Sequence, residues 1–185
     1  MAEKSGKTPI EAWRIGLYVF DGKVRGVFKY LGDPAKTASS RNSKGWSTVG
    51  DIGYLDEDGY IYLTDRKANM IISGGVNIYP QEAENILVTH PKVADAAVFG
   101  VPNEEFGEEV KAVVQPAPGT RPGPELEREL IEFCQQRLAK IKCPRTVDFE
   151  QELPRTPTGK LFKRRLRDRY WSGTITGNPA AKKGA

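Results

Sequence analysis

Apolar and polar positions alternate with a period of two near the start of the chain and shift to helical spacing further along. Between Arg14 and Tyr30, Ile15, Leu17 and Val19 and then Val24, Val27 and Phe28 predict two strands, with Asp21-Gly22 as the turn between them. Leu31 to Lys44 is rich in Ser, Gly, Asp and Pro and predicts a loop. Tyr54-Leu55 and Tyr60 to Leu63 flank Asp56-Glu57-Asp58-Gly59, a hairpin pattern. Met70-Ile71-Ile72 is a short strand-like run broken by Gly74-Gly75, and Pro80 then pre-sets φ for a helix. Glu82 and Glu84 sit where the helix dipole favours acids, and Ala83, Ile86 and Leu87 fall at helical spacing until Thr89-His90-Pro91.

Val93 to Val101 predicts a strand between two prolines. An acidic loop from Asn103 to Glu109 and a strand from Val110 to Gln115 follow. Beyond a Pro/Gly-rich loop, Leu126, Leu130, Ile131, Cys134, Leu138 and Ile141 mark one amphipathic helix. Thr146 to Phe149 makes a last strand, and Leu161, Phe162, Leu166 and Tyr170 form the apolar face of a basic helix. The pattern predicts an α+β fold, a short antiparallel sheet flanked by helices and preceded by β-hairpins.

Composition narrows the classes. Of 185 residues, 38% are hydrophobic, enough for a modest core, and no apolar run reaches the length of a membrane span. Met1 to Ile10 lacks the apolar core of a signal peptide, and the chain ends in Lys-Lys-Gly-Ala rather than a peroxisomal address; a cytoplasmic location is expected. Cys134 and Cys143 form no CxxC pair and His90 is the sole histidine, so no metal site is expected. The same residues are too few for a histidine-based triad. His90 is expected to be a solvated or capping residue, Cys134 a core residue, and Cys143 more exposed. The acids Glu104, Glu105, Glu108 and Glu109 read as a solvated turn.

The net charge is only +4, but Lys160, Lys163, Arg164, Arg165, Arg167 and Arg169 crowd one segment. Such a cluster is a generic footprint for nucleic acid. No nucleic-acid module surrounds it, so a solvated helix face or attraction for phosphate groups is favoured.

Three stretches, in order, carry a resemblance: GWSTVGDIGYLDEDGYIYLTDR, then DRKANMIISGGVNIYPQEAE, then LPRTPTGKLFKR. Together they resemble the last part of adenylate-forming enzymes of the acyl-CoA synthetase type. That family joins a carboxylic acid to coenzyme A through an acyl-AMP intermediate, at the expense of ATP. The resemblance implies that residues 1–64 are the last strands of a large AMP-binding domain, 65–172 a mobile C-terminal domain and 173–185 a flexible tail.

It also implies roles. Asp51 would grip the ribose of ATP, with Arg66 donating to the same sugar. Read without the family, Asp51 is a turn-former and Asp65-Arg66 a surface ion pair. Val49 departs from the threonine that usually precedes the Gly-Asp pair, so one hydroxyl contact is lost. Ala68 would be the hinge, Gly74 and Gly75 would reach the pantetheine tunnel, and Lys160 would be the catalytic lysine of adenylation. In Pro154-Arg155-Thr156-Pro157-Thr158-Gly159-Lys160 the prolines stiffen the loop and Gly159 relieves it at one point. A lysine presented there is a compact charge suited to the α-phosphate and carboxylate.

The family's phosphate-holding loop and its adenine and magnesium segment do not occur in this sequence. The chain is therefore expected to be the C-terminal third of a ligase, inactive alone, with Mg2+ held by the large domain. The residues leave other possibilities open: a non-catalytic fragment that binds coenzyme A or a partner, a light-producing oxidase, or a peptide-synthetase adenylation unit. For the last, no carrier-domain serine motif follows Tyr170. The acid that is activated is not written in this chain.

Overall fold

The computed structural model describes residues 10–11, 18–20, 23–25, 29–41, 48–55, 57–58 and 60–173. Two compact units divide the chain, Met1–Ala68 and Asn69–Ala185. In the first lie β1 (Ile10–Glu11), β2 (Tyr18–Phe20), β3 (Lys23–Arg25), α1 (Pro34–Ser39), β4 (Asp51–Leu55) and β5 (Ile61–Arg66). Strands β1, β4 and β5 form one antiparallel sheet, and β2 and β3 pair separately with Val19 opposite Val24. Ile15, Leu17, Val27, Phe28, the Asp21-Gly22 turn and the tail from residue 174 lie outside the described residues.

The stretch read as a loop contains a helix. Asp33 Oδ1 accepts the Lys36 amide at 2.8 Å and Pro34 opens the first turn of α1. That is a standard helix start in a sequence otherwise full of breakers. In the β4–β5 hairpin Tyr54 faces Tyr62, their rings stacked at 5.1 Å. A bulge falls between Ile52 and Gly53, where any Cβ would lie 2.3 Å from the Tyr62 carbonyl oxygen.

The second unit is built on a five-stranded sheet. It contains β6 (Ile71–Ser73), β7 (Val76–Ile78), α2 (Pro80–Leu87), β8 (Val93–Asn103), β9 (Gly107–Pro116), α3 (Pro124–Gln135), β10 (Thr146–Phe149) and α4 (Lys163–Trp171). The order is β10-β9-β6-β7, with β8 pairing along the length of β9. All pairs are antiparallel except β10 on β9, which is parallel because α3 carries the chain back across the sheet.

The β8–β9 hairpin is buried on both faces, and strand alternation sorts its residues. Val98, Val110, Ala112 and Val114 join Leu87, Leu130 and Cys134 from α2 and α3 in one core. Ala97, Phe99, Val101 and Val113 meet Leu153 and Leu166, under α4, in the other.

Several sequence-based expectations change. Strand β7 was hidden by its length: of its three residues only Ile78 is buried. The acidic loop shrinks to the Glu104–Phe106 turn, since both strands extend into it. Glu109 is buried rather than solvated and accepts from Asn103 Nδ2 at 2.7 Å. The long amphipathic helix stops at Gln135, and Lys140–Lys142 forms a separate 3-10 turn. The apolar spacing persists past the helix end because Leu138 still packs on the same core, while Ile141 is 42% exposed. His90 is buried, not solvated: Nδ1 accepts from the Lys92 amide at 3.3 Å and the ring meets Phe133 edge-on. Cys143 is buried too, with Sγ 3.5 Å from the Ala139 carbonyl oxygen.

Candidate functional site

The lysine loop is held by its own backbone. Thr156 donates its amide to the Lys160 carbonyl and Gly159 to the Thr156 carbonyl, both at 2.8 Å. Lys160 donates its amide to Thr156 Oγ1 at 3.2 Å, and Phe162 closes the base by donating to Pro154 at 2.7 Å. Gly159 has φ near 82°, the left-handed turn that glycine permits. The result is a small hairpin tip on which the Lys160 side chain is exposed.

Two ion pairs, neither foreseen from sequence, brace this tip. Upstream, Arg155 donates one guanidinium nitrogen to Asp95 on β8 and another to the Gly159 carbonyl, the latter at 2.8 Å. Downstream, Lys163 Nζ lies 2.7 Å from Glu84 Oε1. Glu84 is 5% exposed and the same oxygen accepts the Val98 amide at 2.7 Å. Val98 lies on the outer edge of β8, so the carboxylate stands in for a missing strand partner. Glu84 is thus a buried anchor, not merely an acid favoured by the helix dipole. A carboxylate-to-cation spacing of 60 or more residues leaves no local sequence signal.

The Gly74-Gly75 turn sits elsewhere on the unit. Both glycines have positive φ, 55° and 80°. The Gly74 amide donates to the Phe106 carbonyl at 2.9 Å, and a Cβ at Gly74 would touch the Phe106 ring at 3.0 Å. Phe106 is the tip of the β8–β9 hairpin, whereas Asp95 pairs with Gln115 near its open end. Eight residues separate Asp95 from Asn103, about 25 Å along a strand at its usual rise. The glycine turn and the lysine loop therefore occupy opposite ends of one rigid hairpin.

In the first unit Asp51 and Arg66 face each other across β4 and β5, with Arg66 Nε 3.4 Å from Asp51 Oδ1. Asp51 pairs with Arg66, where the sequence had suggested Asp65 as the neighbour. Gly50, with φ near 85°, turns the chain into β4, and its amide donates to Thr48 Oγ1 at 3.0 Å. Ala68 lies in a 3-10 turn, Lys67–Asn69.

Much of the basic run is engaged internally. Lys163 binds Glu84, Arg164 meets Asp168 at 3.5 Å, Arg169 pairs with Glu150, and Arg167 lies over the Trp171 ring. Beneath α4, Lys111 is almost fully buried between Asp148, 3.1 Å away, and Thr146 Oγ1. Tyr170 donates to Asp148 at 2.6 Å, and burial followed by that hydrogen bond pushes its hydroxyl pKa up. Burial also pushes the Cys134 thiol up to about 12 and raises that of Cys143, so neither is a ready nucleophile. Among the described residues no three His, Cys, Asp or Glu side chains gather to hold a metal ion.

Residues 82–160 match the family model of the AMP-binding enzyme C-terminal domain, from the first turn of α2 to Lys160. That range of the chain is an AMP-binding enzyme C-terminal domain. A fatty acid–acyl-carrier-protein ligase of Streptomyces coeruleorubidus is 46% identical over 145 residues, 78% of this chain and 27% of that protein. The 2-succinylbenzoate–CoA ligase of Geobacillus kaustophilus is 46% identical over 138 residues, covering 75% of this chain and 27% of its own length. The crystal structure of ATP-bound MatB from Rhodopseudomonas palustris superposes with a TM-score of 0.70 at 36% identity, over 80% of this chain and 28% of that one. The chain thus spans about a quarter of the length of the curated relatives that it matches. Within the AMP-binding C-terminal domain, the two braced termini of the lysine loop fall inside or just beyond the matched range. Asp51, Arg66, Ala68 and the glycine turn precede it.

Proposed function

We propose that this chain is the C-terminal portion of an ATP-dependent acyl-CoA ligase, acting with a large nucleotide-binding domain on a fatty or aryl acid. In the first half-reaction a carboxylate oxygen attacks the α-phosphorus of ATP and the bond to pyrophosphate breaks, leaving acyl-AMP. In the second, the thiol of coenzyme A loses its proton to solvent, sulfur attacks the acyl carbonyl and AMP departs. Lys160 serves the first step as a fixed positive charge between carboxylate and α-phosphate. Asp51 accepts from the ribose hydroxyls, and Arg66, 3.4 Å away, both holds that carboxylate and donates to the sugar. Gly74 and Gly75 let backbone approach the pantetheine arm in the second step.

One observation carries this assignment: Lys160 and the glycine turn lie at opposite ends of the β8–β9 hairpin. A single rigid body can offer only one of them to a reacting centre at a time, so the two half-reactions call for a reorientation. The boundary between the compact units falls directly after Ala68, which supports a pivot there. Magnesium would belong with ATP on the large domain, since the described residues offer it no donor set. The need for ATP and coenzyme A favours a cytoplasmic site of action, and no helix among the described residues is long and apolar enough to cross a membrane.

The test is a chimera in which this chain replaces the corresponding segment of the Geobacillus ligase. Acid-dependent pyrophosphate exchange and thioester formation should both appear, while the 185-residue chain alone gives neither. A folded chimera that binds ATP yet performs neither half-reaction would overturn the proposal.

A further inference from the structure

We infer that Arg155, clamped by Asp95, is the residue that positions Lys160, an assignment that rests on Lys160 being the adenylating lysine. A lysine side chain on an exposed loop has many rotamers, and its stem must leave the backbone in a fixed direction to be useful. The peptide that sets that direction is Gly159–Lys160, and its carbonyl oxygen, on Gly159, receives Arg155 Nη1 at 2.8 Å. The other end of the same guanidinium reaches Asp95 Oδ2. Asp95 is itself fixed, because its Oδ1 accepts the Ala96 amide at 2.8 Å and its backbone is in β8 opposite Gln115.

The planar fork therefore ties the catalytic peptide to β8, which is paired along the length of β9. A lysine at 155 could satisfy the carboxylate but could not span both acceptors in one plane. The opposite brace, Lys163 to Glu84, ends at Val98, three residues along the same strand. Both supports of the loop thus converge on β8. Arg155 is 46% exposed and Asp95 23%, so the pair adds little to global stability, and its value is directional.

Amide exchange on the full chain tests the clamp directly. Arg155→Ala should speed exchange at Gly159 and Lys160 by about tenfold, the loss of one hydrogen bond of ordinary strength, while core amides of β8 and β9 keep their rates. In the ligase carrying this chain, Arg155→Ala should lower kcat for acyl-AMP formation by about ten- to a hundred-fold with KM for ATP unchanged. Arg155→Lys should recover part of that loss, and Asp95→Ala should add little on top of Arg155→Ala. Transfer from preformed acyl-AMP should not change. Parent exchange rates in Arg155→Ala would overturn the clamp. Parent adenylation in Arg155→Ala beside an inactive Lys160→Ala would overturn the positioning role. Parent adenylation in Lys160→Ala would instead overturn the assignment of Lys160, leaving the clamp to the exchange data.

Discussion

Replacing Glu84 by alanine should destabilise the second unit more than any other single change to a polar residue in it. The carboxylate serves two partners, both at 2.7 Å: the Val98 amide and the Lys163 ammonium. Val98 is fully buried, so the orphaned amide alone costs about 1–3 kcal/mol. The Lys163 side chain is only 17% exposed and would be left without its carboxylate partner. Breaking a buried pair in this way costs about 3–5 kcal/mol in total, against a whole-domain stability of about 5–15 kcal/mol. Glu84→Gln keeps an acceptor for Val98 and loses only the charge, so about 1–2 kcal/mol should be lost. Urea unfolding followed through Trp171, whose Nε1 donates to the Gly100 carbonyl at 3.0 Å, reports on this unit. With a slope of about 1–3 kcal/mol per molar, the alanine midpoint should fall by about 2 M. The double variant with Lys163→Met should cost less than the sum of the two. A midpoint shift in Glu84→Ala no larger than that of an exposed substitution would refute the account of β8's edge.

Four further outcomes are expected. Asp51→Ala in the ligase should raise KM for ATP with kcat little changed, because the proposed ribose contact would be made in ground and transition states alike; an unaltered KM would leave Asp51 a turn residue. Ala68→Pro should spare acyl-AMP formation and block transfer to coenzyme A, since proline fixes φ near −65°; single-turnover assays of each half-reaction decide this. Neither cysteine should react with a thiol reagent at pH 8 until the unit unfolds, since both thiols are buried with raised pKa values. In the unfolded chain the thiols ionise near 9 while Cys134 holds its proton to about 12, so stability should be unaffected below pH 9 and fall between 9 and 12. A melting temperature that rises over that range would contradict the burial.

Local chemistry made much of the fold legible. Prolines and glycines punctuate the chain at Gly74-Gly75, Pro80 and Gly159, and each is a turn or a helix start in the structure. Val93 to Val101 and Val110 to Gln115 read as strands because they are short, nearly continuous apolar runs, and the structure buries both on their two faces. What sequence could not give is the set of carboxylates that replace backbone acceptors. Glu84 reaches Val98 across 14 residues, Glu127 reaches Val147 across 20, and Glu108 reaches Ile72 across 36. Each looks like a surface acid until the strand edge beside it is known. The same holds for the site: Lys160 stood out by its Gly-Lys loop, whereas Arg155 became meaningful only once β8 brought Asp95 within reach.

On the proposed function, Lys160 serves adenylation and not thioester transfer, the unit offering a different end to each step. The most direct measurement compares Lys160→Ala with the parent ligase in single-turnover assays of both half-reactions. Loss of a charge stabiliser of this kind costs about 3–4 kcal/mol, so acyl-AMP formation should slow by a hundred- to a thousand-fold. Transfer from preformed acyl-AMP to coenzyme A should proceed at the parent rate. An equal loss in both steps would contradict the account.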